Sequence, residues 1–162
     1  MDHPTLHMLC GKIASGKSTL ALALSEAERT VLISEDNWLG GLYGDQMSTI
    51  QDYVRHSAKL RKVVGPHVVA LLNAGVSVVL DFPANTRETR QWMRGLINLT
   101  GAPHQLHVLT TPDEVCLARL RARNAGGEHP FVVTEDQFRI ISKHFVAPSP
   151  DEEFNIVRRD QP

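Results

Sequence analysis

The sequence predicts an α/β fold in three layers, a five-stranded and mostly parallel sheet with helices on both faces. Three observations predict it. Short apolar runs alternate with longer stretches of helical periodicity. The first apolar run ends in a glycine-rich turn that opens a helix. Glycines, prolines and capping pairs mark most of the boundaries between runs.

Taken in order, Leu6 to Cys10 is the first strand, broken by the turn Gly11 to Gly16. Lys17 to Ala27 follows as a helix, with Leu20, Ala23, Leu24 and Ala27 on one side. Thr30 to Ser34 is the second strand, and Glu35 to Gly44 reads as a glycine-rich loop holding Trp38 and Tyr43. Ser48 to Asn73 is a long helical stretch, with a break expected near Gly65-Pro66 and a stop at Gly75. Val76 to Asp81 is the most strand-like segment. Asn85 and Glu88 then form the capping box of a helix that ends near Thr100, with Gly101 as its stop. Leu106 to Thr110 is the fourth strand. Thr111, Pro112 and Glu114 mark the next helix start as N-cap, first-turn proline and capping glutamate, and that helix runs to about Asn124. Ala125 to Pro130 is a glycine-rich loop. Thr134 and Gln137 cap a further helix reaching about Val146, Pro148 and Pro150 break the chain, and Phe154 to Arg158 is the last strand.

The 162 residues suit one domain, 1–162, and at 42% hydrophobic content they can bury a core without disulfide or metal staples. The formal net charge of −1 gives no electrostatic reason for strong binding to nucleic acid or a membrane surface. Cys10 and Cys116 have neither redox nor zinc spacing and read as buried thiols of a reducing compartment. The N-terminus has no basic region followed by an apolar run, and no apolar stretch is long enough to span a membrane, so the expected location is cytoplasmic. The eight histidines form no ligand cluster and read as structural or exposed.

The strongest motif is Gly11-Lys12-Ile13-Ala14-Ser15-Gly16-Lys17-Ser18, which matches G-x-x-x-x-G-K-[ST] between a strand and a helix. Glycines let the backbone wrap closely round phosphates, and successive N–H groups point inward at the positive end of the helix. The sequence therefore predicts a P-loop NTPase fold that binds ATP through residues 11–18 and Thr19. The Lys17 ammonium would reach the β- and γ-phosphates, and the Ser18 hydroxyl would ligate Mg2+. A second carboxylate on a neighbouring strand is needed to orient the hydrated metal, and Asp81, ending its apolar run, fits; a helix-cap or turn aspartate is the bland alternative.

GTPases read guanine with Asn-Lys-x-Asp, and no lysine here follows an asparagine. Motor ATPases need a larger module, whereas a compact kinase suits the length. A kinase needs a group to accept the proton of the attacking hydroxyl, and Asp36, just past the second strand, is the candidate with Glu35 its rival. It also needs positive charge over the transferring phosphoryl group. Arg119 and Arg123, four apart on one helix face, can supply it, while Leu117 and Leu120 face the core. The loop 125–130, with Gly126-Gly127, is a candidate lid. Arg87 and Arg90 read as helix-surface charge, with contact to an anionic acceptor as the alternative.

The runs Leu-Ile-Ser-Glu-Asp-Asn-Trp (32–38), Val-Val-Leu-Asp-Phe-Pro-Ala-Asn-Thr (78–86) and Arg-Leu-Arg-Ala-Arg-Asn (119–124) resemble a family of small predicted kinases labelled AAA family ATPases. That family is similar to chloramphenicol phosphotransferase, zeta toxin and the polynucleotide 5′-kinases. The resemblance covers nearly the whole chain. It implies the strand order 2-3-1-4-5, Asp36 as base, Asp81 beside the magnesium or the acceptor, and Arg119 and Arg123 as lid arginines. Polynucleotide kinases tend to carry an arginine three residues after the base, where this chain has Leu39. That departure favours a small-molecule acceptor over a nucleic-acid end. Trp38 and Tyr43 could stack on it or pack beneath their loop. The alternatives are a polynucleotide or RNA-end kinase and an ATP-binding regulatory module with slow hydrolysis.

Overall fold

The computed structural model describes residues 3–127 and 132–160. Five strands, β1 (Leu6–Cys10), β2 (Thr30–Ser34), β3 (Ser77–Pro83), β4 (His104–Leu109) and β5 (Ile156–Arg159), form one sheet in the order β2-β3-β1-β4-β5. Every pairing is parallel, so the mixed character allowed by the sequence is absent from this sheet. Parallel strands need crossovers, and these are supplied by α1 (Lys17–Ser25), α2 (Glu35–Tyr43), α3 (Ile50–Asn73), α4 (Arg87–Thr100), α5 (Asp113–Gly126) and α6 (Glu135–Lys143).

The faces follow from the period-two alternation of the strands. Leu6, Met8 and Cys10 of β1 point to one side, where Leu60, Val64 and Val68 of α3 and Met93, Leu96 and Ile97 of α4 close the main core. Leu9 and Val79 point to the other side, against Ala21 of α1. Cys116 and Leu120 of α5 meet Phe138 of α6 in a third cluster, with the half-buried Leu117 packed against it. Both cysteines are buried and free.

Five local expectations are corrected. The segment after β2 is a helix rather than a loop. The Ser34 hydroxyl caps it by accepting the N–H of Asn37 at 3.3 Å, two carboxylates lie in its first turn, and Leu39 is fully buried. Capping and burial outweigh its glycines, which cost about 1 kcal/mol each in a helix. No break occurs at Gly65-Pro66. A Cβ on Gly65 would come 3.3 Å from the Trp92 indole, so the glycine permits close approach of α4, while Pro66 sits on the exposed face. Asn85 does not cap α4: Thr86 does, accepting the N–H of Thr89 at 3.2 Å. Thr111 does not cap α5, whose N-cap is Pro112. The capping box of Thr134 and Gln137 is present, but α6 stops at Lys143.

Arg90 is the largest correction. It is fully buried, donating to the carbonyls of Ala84 (3.0 Å) and Val146 (2.7 Å) and to the Glu152 carboxylate (2.8 Å). It ties the tail of β3 to the strap that follows α6. Arg87 stays outside, paired with Asp151 at 3.0 Å. Among the described residues no helix is long and apolar enough to cross a membrane.

Candidate active site

Three parallel strands end side by side and launch the residues of the site. β1 runs into the phosphate loop, β3 carries Asp81, and β2 delivers Glu35 and Asp36 at the start of α2. The register pairs Ser34 with Asp81, which brings the start of α2 beside that carboxylate. A cleft of about 990 Å³ opens there, lined among others by Lys17, Ser18, Asp36, Asp81, Arg119 and Arg123. Thr19, Ile13, Ala14 and Gly16 also line it, whereas Gly11 and Ser15 are buried beneath.

The loop holds its shape through specific backbone states. Gly16 adopts φ 106°, a region costly for a side-chain-bearing residue, and Ala14 takes φ 61°. A Cβ on Gly11 would lie 2.5 Å from the Ser15 Oγ and 3.2 Å from Leu109, so only glycine fits there. Lys17 curls back, its Nζ donating to the carbonyls of Gly11 at 2.5 Å and Lys12 at 2.9 Å. Burial of that ammonium lowers its pKa, against the opposing pull of Asp81 and Asp36. The Lys12 side chain turns outward to Asp113 at 2.8 Å.

Ser18 Oγ donates to Asp81 Oδ2 at 3.0 Å. A hydroxyl and a carboxylate side by side below a phosphate cradle are the hard oxygen donors that magnesium takes together with water and phosphate oxygens. Burial raises the Asp81 pKa, and the Ser18 hydrogen bond and the Lys17 charge partly offset this. Among the described residues no group of three or more His, Cys, Asp and Glu could hold a metal ion. These residues fit a cation shared with a bound nucleotide.

Glu35 and Asp36, adjacent in sequence, have separate environments. Glu35 is 2% exposed, with Tyr53 donating to one carboxylate oxygen and Ser57 to the other at 2.8 Å. Desolvation pushes its pKa up to about 7, although both hydroxyls act in the other direction. Asp36 is half-buried and faces the cleft. Tyr43 stacks on His56 with centroids 4.1 Å apart, so its role is packing, and Trp38 is 37% exposed on α2 outside the cleft lining.

On the far side, Arg119 and Arg123 of α5 both line the cleft, as their spacing predicts. Burial lowers the Arg123 pKa, and Asp36 across the cleft opposes that shift. Arg121 points away to Glu135. Of the expected lid loop, Ala125 and Gly126 belong to α5 and Gly127 is its left-handed C-cap, while 128–130 lie outside the described residues. Val132, Val133, Gln137 and Ile141 complete this wall.

Two residues important to the site escaped sequence reasoning. Asn85 clamps the loop: its Oδ1 accepts the Gly11 N–H at 2.9 Å and its Nδ2 donates to the Gly11 carbonyl at 2.7 Å. Thr111 Oγ1 donates to the Ser15 carbonyl at 2.7 Å. Local sequence points both to helix caps, because a short polar residue before a helix has that default use. The β3–α4 and β4–α5 junctions thus brace the loop from two sides.

Comparison with known proteins bears on the fold. A candidate kinase from Chloroflexus aurantiacus superposes with TM-score 0.78 at 19% identity, over 99% of this chain and 86% of its own. A sugar kinase from Janibacter sp. gives 0.67 at 19% identity, over 99% and 88%. An APS kinase from Mycobacterium tuberculosis, solved with AMPPNP and APS, gives 0.64 at 20% identity, over 100% and 92%. No curated protein matches the sequence. The fold is a kinase-like P-loop fold. A family model described as an AAA domain matches residues 6–148, a span that holds the phosphate loop, Asp36, Asp81 and both cleft arginines, and the chain belongs to that family.

Proposed function

We propose that this chain is an ATP-dependent phosphotransferase that moves the γ-phosphate of ATP to a hydroxyl of a small-molecule acceptor. One observation carries the reading: an amide-lined loop with Lys17, the Ser18–Asp81 pair, the cleft-facing Asp36 and two arginines converge on a single cleft. Phosphoryl transfer asks little covalent chemistry of a protein; it asks for positioning and for charge compensation, and this set supplies both.

The triphosphate would lie in the cradle of residues 11–18, with Lys17 released from the loop carbonyls to meet it. Ser18 and Asp81 would hold magnesium, which when bound neutralises charge on the phosphate oxygens. Asp36 is the base: a carboxylate oxygen accepts the proton of the acceptor hydroxyl as that oxygen attacks. Glu35 is unsuited, since both of its oxygens already accept hydroxyl protons from Tyr53 and Ser57. Arg119 and Arg123 stabilise charge on the transferring group from the opposite wall. Leu39 is fully buried, so three residues beyond the base no side chain is available for an acceptor phosphate.

The test is a panel of hydroxyl compounds incubated with magnesium and ATP and read by mass spectrometry for phosphorylated products. Asp36→Asn is expected to lower transfer by ~10²–10⁴-fold while calorimetric ATP affinity stays close to that of the unaltered chain. Full transfer by Asp36→Asn, or no affinity for ATP in the unaltered chain, refutes the reading.

A further inference from the structure

The phosphate loop divides the cleft into two unlike ends. Toward β4, the lining includes Arg119 and Arg123. Toward β2 and β3, the ionisable side chains lining it are Glu35, Asp36 and Asp81, together with the tyrosine Tyr53. Met47 and Ile50, half-buried at the entry to α3, add apolar surface, and the Tyr53 ring joins them because its hydroxyl is spent on Glu35. Among the described residues, the cations lining the whole cleft are Lys17 in the loop and the two arginines of α5. The nearby Arg55 and Arg61 do not line it: Arg55 pairs with Asp52 at 3.1 Å and Arg61 donates to Ser57 at 3.3 Å.

The helix N-termini that would favour anions at this end are already occupied: Ser34 caps α2, whose first turn carries Glu35 and Asp36, and the N-terminus of α3 is closed by its own capping box. Asp52 accepts the N–H groups of Ser48 at 3.1 Å and Thr49 at 3.2 Å, and the Thr49 hydroxyl accepts the Asp52 N–H. The side chain of the capping box therefore both takes up donors and sets a negative charge at the positive end of the helix. An acceptor bearing its own phosphate would meet the Asp36 carboxylate, no protein cation among the described residues beyond Lys17 and the two arginines of α5, and capped helix ends.

We propose that the β2–β3 end of the cleft selects a hydroxyl compound with an apolar face and no phosphate or carboxylate. The apolar face rests on Met47, Ile50 and Tyr53, and the hydroxyl points to Asp36. The selection is exclusion by like charge as much as attraction. It rests on the phosphotransferase reading, from which it is separable by experiment.

The test uses the full chain loaded with AMPPNP and magnesium, and titrates matched pairs by calorimetry: thymidine against thymidine 5′-monophosphate, and phenyl β-glucoside against its 6-phosphate. The uncharged member of each pair is expected to bind at least about tenfold more tightly, from like-charge repulsion at short range in a partly screened site. Met47→Arg, which adds a cation at this end, is expected to narrow or reverse the preference. Equal affinity within the pairs, tighter binding of the phosphorylated members, or no binding of either member to AMPPNP-loaded protein overturns the proposal. Failure to hold AMPPNP in the first titration overturns the phosphotransferase reading, and the selection falls with it.

Discussion

Asn85→Ala should loosen the phosphate loop without touching the phosphates directly. In the unaltered chain the Asn85 amide makes two hydrogen bonds to Gly11, at 2.9 Å to its N–H and 2.7 Å to its carbonyl. The variant leaves the carbonyl with one partner, the Lys17 ammonium at 2.5 Å, but takes the side-chain acceptor from a buried N–H. A buried donor left unsatisfied costs ~1–3 kcal/mol, more than the ~1 kcal/mol net worth of an ordinary hydrogen bond. The unfolding free energy should therefore fall by ~1–3 kcal/mol. ATP affinity should fall by roughly tenfold if about 1.4 kcal/mol of that loss reorganises the loop during binding. Asn85→Asp keeps an acceptor for the Gly11 N–H but sets its second carboxylate oxygen against the Gly11 carbonyl and adds negative charge beside the phosphates, so stability and affinity should both fall. Urea unfolding followed by circular dichroism, and calorimetry with magnesium and ATP, read both quantities. An Asn85→Ala protein with unchanged unfolding midpoint and unchanged affinity would mean that the loop stands on its own backbone and that the clamp is incidental.

Arg90→Met removes a buried cation from three carbonyls and from Glu152, and should cost ~3–5 kcal/mol in chemical unfolding; a loss below ~1 kcal/mol contradicts the strap assignment. Glu35 has a folded pKa of about 7, above its ordinary value of 4.5, so the folded state prefers it protonated: its contribution is present below pH 4.5 and is lost as pH rises through 7. Glu35→Gln should therefore flatten the decline in unfolding midpoint between those pH values, and an unaltered pH profile refutes the burial. His107 shows the opposite sign. Burial, then His7 and Arg159, hold its pKa down at about 4, so stability present above pH 6.5 is lost as pH falls toward 4. Its neutral form is fixed by geometry: Arg159 donates to Nδ1 at 3.3 Å, leaving Nε2–H to donate to His7 Nδ1 at 3.1 Å. His107→Gln should reduce the acid loss of stability seen in the pH dependence of urea unfolding, and an equal loss in both proteins contradicts this.

Legibility varied along the chain with the range of the interactions that matter. The strands were readable within a few residues because each is a short apolar run bounded by turn residues, and the α6 capping box was readable because its partners, Thr134 and Gln137, are three apart. Helix α2 was not, since its glycines suggest a loop and the burial of Leu39 that rescues it depends on distant strands and on α3. Asn85 and Thr111 show the same limit at the site. As local sequence each is a helix cap; their partners are Gly11, 74 positions away, and Ser15, 96 positions away. Arg90 looks like surface charge on a helix, and only the return of the chain at Val146 to Glu152 encloses it.

From composition and order of residues alone came the sheet of crossovers, the phosphate loop with Lys17 and Ser18, the partner carboxylate Asp81, and the paired arginines of α5, because these rest on contiguous motifs or on spacings that helix and strand geometry turn into a shared face. Folding in three dimensions decided which of two neighbouring carboxylates is buried under hydroxyls and which is left half-buried, which polar side chains brace the loop, and which charges line each end of the cavity. Those outcomes depend on desolvation and on contacts between elements far apart in the chain, and neither leaves a periodic trace in the sequence.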